Sequence, residues 1–355
     1  MSTIATTTAT PKDTASKRDA ILHKIEDGLK MKVIAYLTGD RPGLETQIGG
    51  DVIVRFRRHL EAIGDIGTLG LFLYTRGGDT NVPWRLVTLL REYCEKLVVL
   101  VPFRAHSSGT LICMGADEIV LGRMAELTSI DPSVANPFNP PDPLNPMARV
   151  PISVEDVNAY KGLARRFDVS KDDPRNADVF LTLASKVDPL ALGNVERTHS
   201  QIRKLAKDLL LLHPPELDGK KAEEMVEMLT VGLFSHAHLI NRKEAAKIGL
   251  NAKEATKEVD ALLWDLFAEY SAEMELDTPF NPHQLLTPNA PVLHITAKRA
   301  FVESVGKTDT FISDGTVSRI QPGALQIPPG MQLPPQLLQA QIQMRFDSEG
   351  WKITR

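Results

Sequence analysis

A chain of 355 residues, 43% of them hydrophobic, is long enough to bury a full core and reads as one large domain with appendages. With 41 Lys+Arg against 45 Asp+Glu the formal charge is -4, and no long basic run is present, so the composition excludes a nucleic-acid partner or an anionic membrane surface as the first expectation. No window approaches the roughly 18 apolar residues that span a bilayer, and Met1 to Ser16 lacks the apolar stretch of a secretory signal, so a cytoplasmic protein without a transmembrane segment is expected.

The first residues, 1–28, begin with a Thr-, Ala- and Ser-rich run that offers little apolar surface, and a disordered tail is expected there. Met31 to Leu37 reads as a strand, and Asp51 to Ile63 as an amphipathic helix with Val52, Val54, Phe56 and Leu60 inward. Leu69 to Tyr74 is a nearly continuous apolar run, the signature of a strand buried on both faces. It ends in Thr75-Arg76-Gly77-Gly78-Asp79, where paired glycines permit positive φ and leave room for a ligand. A helix over 80–95 follows, with Val82, Leu86, Leu89 and Leu90 at helical spacing and Asp79 or Thr80 as its cap. Leu97 to Val101 repeats the strand, and Ala105-His106-Ser107-Ser108-Gly109-Thr110 repeats the turn, with a helix from Ser107 to Met114 and a strand over 117–121. This alternation predicts an α/β fold with a layered parallel sheet.

Cys94 and Cys113 both fall in apolar helical patterns and read as small buried thiols. Seven prolines between Pro132 and Pro151 preclude a helix and predict a stiff extended loop, either a connector or a substrate-binding lid. Helical patterns then run over 154–167, 177–186, 195–212, 221–229, 243–248 and 259–274, a helical C-terminal half. Beyond residue 290, short strands are expected at Val292 to Ile295, Thr310 to Ile312 and Gln341 to Phe346, around a Pro-rich stretch from Pro322 to Pro335. They read either as a small β appendage for assembly or partner binding, or as an edge extension of the core. The expected division is a tail over 1–28, a main domain over 29–275 and a Pro-rich β extension over 276–355.

Ser107 is placed at a helix N-terminus, where free N–H groups and the helix dipole stabilise developing negative charge. A serine hydroxyl is a poor nucleophile until a base takes its proton, and Ser107 and adjacent Ser108 are both candidates from the residues alone. The Gly-Gly turn, the Ala-X-Ser-X-Gly segment, Ala116-Asp117-Glu118-Ile119-Val120, Leu127-Thr128-Ser129-Ile130-Asp131-Pro132 and the stretch from Gly232 to Ile240 followed by Glu244-Ala245 and Gly249-Leu250 occur in order. Together they resemble the Clp-protease/crotonase superfamily, and within it the serine dehydrogenase proteinase family, related to signal peptide peptidase A. The likeness covers roughly residues 30 to 255. It departs from the family at Arg76, where proline is usual, at Thr128-Ser129 in place of Gly-Pro, and at Ala237 and His238 in place of Asp and Tyr.

The resemblance implies a Clp/crotonase-like ββα spiral and a serine peptidase or other hydrolase acting on a peptide or protein, without metal or cofactor, and assembled as a homo-oligomer. It favours Ser107 as nucleophile, with an oxyanion hole from the Gly78 and Ser108 N–H groups and with Gly77 and Asp79 at the substrate. The base is left open. His236 matches the family's later motif and has a suitable intrinsic pKa; His238 lies two residues on. Asp131 could orient a histidine, and Lys161 stands at the interval of a Ser-Lys dyad. No Gly-X-Gly-X-X-Gly turn follows a predicted strand, so the dehydrogenase in the family's name has no counterpart here. Two other classes remain: a non-catalytic oligomeric scaffold or adaptor, and a crotonase-like acyl-CoA enzyme, which typically needs a carboxylate where this chain has Ser107.

Overall fold

The computed structural model describes residues 11–130, 133–134, 136–142, 148–166, 173–212, 217–232, 238–286, 292–320 and 341–355. In chain order the elements are α1 (Pro11–Leu29), β1 (Lys32–Thr38), α2 (Val52–Ile63), β2 (Ile66–Tyr74), α3 (Val82–Arg91), β3 (Cys94–Val101), β4 (Arg104–Ala105), α4 (Ser108–Met114), β5 (Glu118–Leu121) and β6 (Glu126–Thr128). There follow β7 (Ser133–Val134), β8 (Ile152–Ser153), α5 (Val154–Arg166), α6 (Asn176–Ala184), α7 (Pro189–Leu210) and α8 (Gly219–Glu227), the last running into a π-helical turn, Met228–Gly232. The chain closes with β9 (Leu239–Ile240), α9 (Arg242–Ile248), β10 (Ala252–Glu254), α10 (Lys257–Met274), α11 (Pro282–Leu285), β11 (Val292–Ser304), β12 (Lys307–Ile320) and β13 (Gln341–Ile353).

The main sheet has eight strands in the order β10-β5-β3-β2-β1-β11-β12-β13. The first five are parallel and the last three join antiparallel. Side chains alternate along each strand and supply two cores. Ile34, Tyr36, Leu69, Leu71, Leu73, Leu97 and Val99 pack under α2, α3, α4 and α7. Val33, Ala35, Leu37, Phe72, Tyr74, Val98 and Leu100 pack under α1 and α10. Burial on both faces is why these strands are continuously apolar. The protein is thus α/β, as expected, and no described helix is long and apolar enough to cross a membrane.

Four expectations are corrected. Residues 11–28, assigned to a disordered tail, belong to α1, whose Leu22 and Ile25 are buried against α10 and whose Arg18 donates to Glu303. On α2, Val54 is 66% exposed and His59 is fully buried in its place. Cys94 opens β3 rather than lying in a helix, while Cys113 is buried in α4; both thiols are free. The C-terminal strands are 13 to 14 residues long and continue the main sheet, with β11 paired along β1 from Ile34↔Ser304 to Thr38↔Ala300. Phe301 and Val302 enter opposite cores there, so this segment is an edge extension of the core rather than a small appendage. The Pro-rich stretch from Pro322 to Pro335 lies outside the described residues. Across the earlier proline-rich segment, β7 near its start and β8 just beyond its end form a short antiparallel pair.

Polar contacts fasten this extension. His59 Nδ1 lies 2.7 Å from Ser304 Oγ and its Nε2 3.1 Å from Asp309 Oδ2, while Arg58 Nη1 donates to the same Asp309 oxygen at 2.6 Å. A serine, a histidine and an aspartate in hydrogen-bonded series invite a catalytic reading. Here all three are at most 3% exposed, and Arg58 holds the carboxylate, so the series is a latch.

Candidate active site

The site forms where the C-terminal ends of the parallel strands splay, the usual location for ligands in such sheets. β2 runs out through Thr75, which bridges Ala105 at the end of β4. The Thr75 N–H donates to Arg104 O at 2.9 Å and the His106 N–H to Thr75 O at 3.1 Å, so the two turns are stitched side by side. Thr75 Oγ1 accepts the Gly77 N–H at 2.9 Å and starts the glycine turn.

Both glycines are required. Gly77 has φ +103, and a Cβ there would lie 2.9 Å from His106 O and 3.3 Å from Ser107 Oγ. Gly78 has φ +151, and a Cβ would lie 2.4 Å from Ile48 O. Ile48 fixes the turn from outside: its N–H donates to Gly77 O at 2.8 Å, and its carbonyl accepts the Asp79 N–H at 2.9 Å. Gly77, Gly78 and Ser107 therefore meet, as the sequence reading requires.

Ser107 itself has φ 51 and ψ -111, a conformation that non-glycine residues rarely adopt and one that matches a sharp strand-to-helix nucleophile turn. Of the four polar groups on its two flanking peptides, three are committed. His106 O accepts the Gly109 N–H at 2.7 Å, Ser107 O accepts the Leu111 N–H at 3.1 Å, and the Ser107 N–H donates to Thr128 Oγ1 at 2.8 Å. The fourth, the Ser108 N–H at the start of α4, has no acceptor among the described residues, and neither has the Gly78 N–H. Ser107 is half-buried and its hydroxyl makes no hydrogen bond within the described residues. Ser108 differs: its side chain is fully buried and its hydroxyl donates to Gly78 O at 2.8 Å. Geometry therefore selects Ser107 over Ser108 as the available hydroxyl and makes Ser108 the tie between α4 and the glycine turn.

A charged network borders the turn. Asp40 accepts from Tyr74 Oη (2.6 Å), Arg76 Nε (2.8 Å) and Arg104 Nη1 (2.6 Å), and Arg104 Nε and His106 Nε2 share Glu126 Oε1 at 3.2 and 3.0 Å. Burial alone would raise the Asp40 carboxyl, but these three donors outweigh it and hold it below its ordinary value. Burial holds the His106 imidazole below its usual range, with Glu126 opposing. His106 is thus turned toward Glu126. The sequence reading missed Asp40, Tyr74, Arg104 and Glu126. The alternation Arg104-Ala105-His106, two polar groups flanking a buried alanine, was the available signal.

Asp79 is exposed and its carboxylate accepts from the Asn81 N–H, shaping the entry to α3 without capping it directly. His238 Nε2 pairs with Glu244 Oε1 at 2.8 Å. Lys161 falls on α5; its side chain, Asp131 and His236 lie outside the described residues. β9 nevertheless pairs Leu239 with Thr128, the residue that holds the Ser107 N–H. Among the described residues no cluster of three His, Cys, Asp or Glu side chains is placed to hold a metal ion. Cavities of about 140, 220 and 400 Å³ lie beside Arg41 and Arg299, beside Cys113 and Met225, and between α2 and α3, all away from Ser107.

No protein-family model matches the chain. Two archaeal proteins are similar to it. Uncharacterized protein MJ0137 of Methanocaldococcus jannaschii is 24% identical over 201 residues, covering 57% of this chain and 59% of that protein. Uncharacterized protein MJ1495 of the same organism is 20% identical over 206 residues, covering 58% of each. The chain therefore spans less than two thirds of the length of these curated relatives.

Proposed function

We propose that this protein is a serine hydrolase, in the first place a peptidase, with Ser107 as nucleophile and the Gly78 and Ser108 N–H groups as its oxyanion hole. The observation that carries this reading is the meeting of the two turns. A half-buried serine in a strained conformation lies against Gly77, beside two backbone N–H groups that have no acceptor among the described residues. Ser107 Oγ would attack the substrate carbonyl, the two N–H groups would take up the developing oxyanion, and water would release the acyl-enzyme. The proposal includes the Clp/crotonase-like spiral and the likeness to the serine dehydrogenase proteinase family. In its support, β4 and β6 of the second sheet directly follow main-sheet strands β3 and β5, giving ββ units as in such a spiral.

The base is proposed to come from His236, His238 or Lys161, with Asp131 as an orienting group. A homo-oligomer is also proposed: α6 is apolar yet has no buried residue, leaving Phe180 and Leu181 56% and 62% exposed. The scaffold reading stays second, favoured by one observation: His106 and His238 are both committed to glutamates, and no described side chain bonds Ser107 Oγ. Labelling with a serine-directed fluorophosphonate separates the two. Phosphonylation mapped to Ser107 and absent in Ser107→Ala supports the hydrolase; no modification of the folded protein supports the scaffold.

A further inference from the structure

Only three non-glycine residues among those described have positive φ: Lys30, Ser107 and Glu275. Lys30 follows the end of α1 and Glu275 caps the end of α10, where a left-handed residue is an ordinary way to stop a helix. Ser107 instead stands at the start of a helix, where capping asks for no such conformation. A residue held there is strained and persists only if its surroundings over-determine it.

The holding group is on β6. Thr128 Oγ1 accepts the Ser107 N–H at 2.8 Å and donates its own proton to Ser129 O at 3.0 Å, so its lone pair is directed at Ser107. Thr128 is in turn fixed by Thr110 of α4: the Thr128 N–H donates to Thr110 Oγ1 at 3.2 Å, and that hydroxyl has Ala105 O at 2.9 Å and Thr128 O at 3.0 Å as acceptors. Thr128 is 4% exposed and Thr110 fully buried, so water cannot readily replace either contact. The chain thus has a buried hydroxyl at a position where the family it resembles carries glycine.

We propose that Thr128 is the positioning residue of this site: its hydroxyl, acting through the Ser107 N–H, holds the serine in the conformation that sets Oγ against the glycine turn and leaves the Ser108 N–H facing the substrate. Thr128 touches no reacting atom. The claim rests on the hydrolase reading for its consequence in chemistry, while the conformational hold can be read separately.

The test compares Thr128→Val, which removes the hydroxyl at nearly constant shape, with Thr128→Ser, which keeps it. Two quantities are measured on the full chain: the second-order rate of fluorophosphonate labelling mapped to Ser107, and amide hydrogen exchange at Ser107 by NMR. Thr128→Val should lower the labelling rate on the order of 100-fold, the cost of misplacing a reacting group by about 1 Å, and should speed exchange at Ser107. Thr128→Ser should restore both, which a purely steric role of the threonine methyl would not do. Unchanged exchange and labelling in Thr128→Val, or a Thr128→Ser variant as impaired as Thr128→Val, overturns the inference while leaving the hydrolase intact. Wild-type protein that shows the exchange pattern but no labelling at Ser107 overturns the hydrolase reading and the positioning role with it.

Discussion

Gly109→Ala isolates the packing that sets α4 against the glycine turn. A Cβ at residue 109 would lie 2.6 Å from Thr75 Cγ2 and 3.4 Å from Ala105 Cβ. Thr75 cannot rotate clear, because its hydroxyl is bonded to Thr38 Oγ1 at 2.7 Å and to the Gly77 N–H at 2.9 Å. The helix must therefore move by about 1 Å to reach ordinary carbon–carbon contact. Overpacking of this kind costs about 1–3 kcal/mol, and replacing a helical glycine by alanine returns about 1 kcal/mol, so the net loss of stability should be about 0–2 kcal/mol. The same shift carries Ser107 and the Ser108 N–H with it, and a 1 Å error at a reacting centre costs on the order of 100-fold in rate. The expected result is a protein with a nearly unchanged urea midpoint and a severely reduced rate of fluorophosphonate labelling. Thr75→Ser in the same chain removes the clashing methyl, keeps the hydroxyl and should restore the rate. Full labelling in Gly109→Ala, or no restoration in the double variant, would show that contact between Gly109 and Thr75 does not position Ser107.

Three further outcomes follow from the contacts. Ser108→Ala leaves the half-buried Gly78 carbonyl without its donor and should cost about 1 kcal/mol, with the fluorophosphonate still on Ser107; a wild-type adduct mapped to Ser108 would reverse the assignment. Burial pushes the His59 imidazole down to about 4, with Asp309 opposing and Arg58 and Lys307 assisting, against roughly 6.5 in the unfolded chain. A depressed folded pKa means stability present above pH 6.5 and lost as pH falls toward 4, about 3 kcal/mol in all. Urea midpoints of wild type and His59→Gln should therefore converge over that window, and parallel pH profiles would count against the latch. Arg18→Ala strands Glu303, whose carboxyl burial already raises to about 7 against the pull of Arg18, and should cost about 3–5 kcal/mol. Because a raised carboxyl favours its protonated form in the folded state, the deficit should shrink from pH 8 to pH 5; an equal deficit at both would argue that Glu303 is uncharged throughout.

What the sequence disclosed was whatever hydrocarbon patterning and glycine dictate. The runs Leu69 to Tyr74 and Leu97 to Val101 announced strands buried on both faces, and Gly77-Gly78 with Ser107 announced two turns of special backbone geometry. Polar contacts between distant segments were not legible. His59 occupies a core position that the helical period assigns to an apolar residue, and only its partners Ser304 and Asp309, some 250 residues away, make that burial tolerable. For the same reason β11 and β12 looked shorter than they are: Arg299, Glu303 and Asp309 interrupt the apolar pattern, yet each is matched by a partner in the core or on a neighbouring strand. Thr128 looked only like a departure from a family motif. Its value as an acceptor for Ser107 depends on β6 lying beside the nucleophile turn, which no local pattern reveals.

A crystal structure of the fluorophosphonate adduct would show directly whether Ser107 faces a working oxyanion hole. The phosphonyl group should sit on Ser107 Oγ with its oxygen about 2.7–3.1 Å from both the Gly78 and Ser108 nitrogens. An adduct on another residue, or an oxygen turned to solvent with both N–H groups unengaged, would contradict the hydrolase proposal.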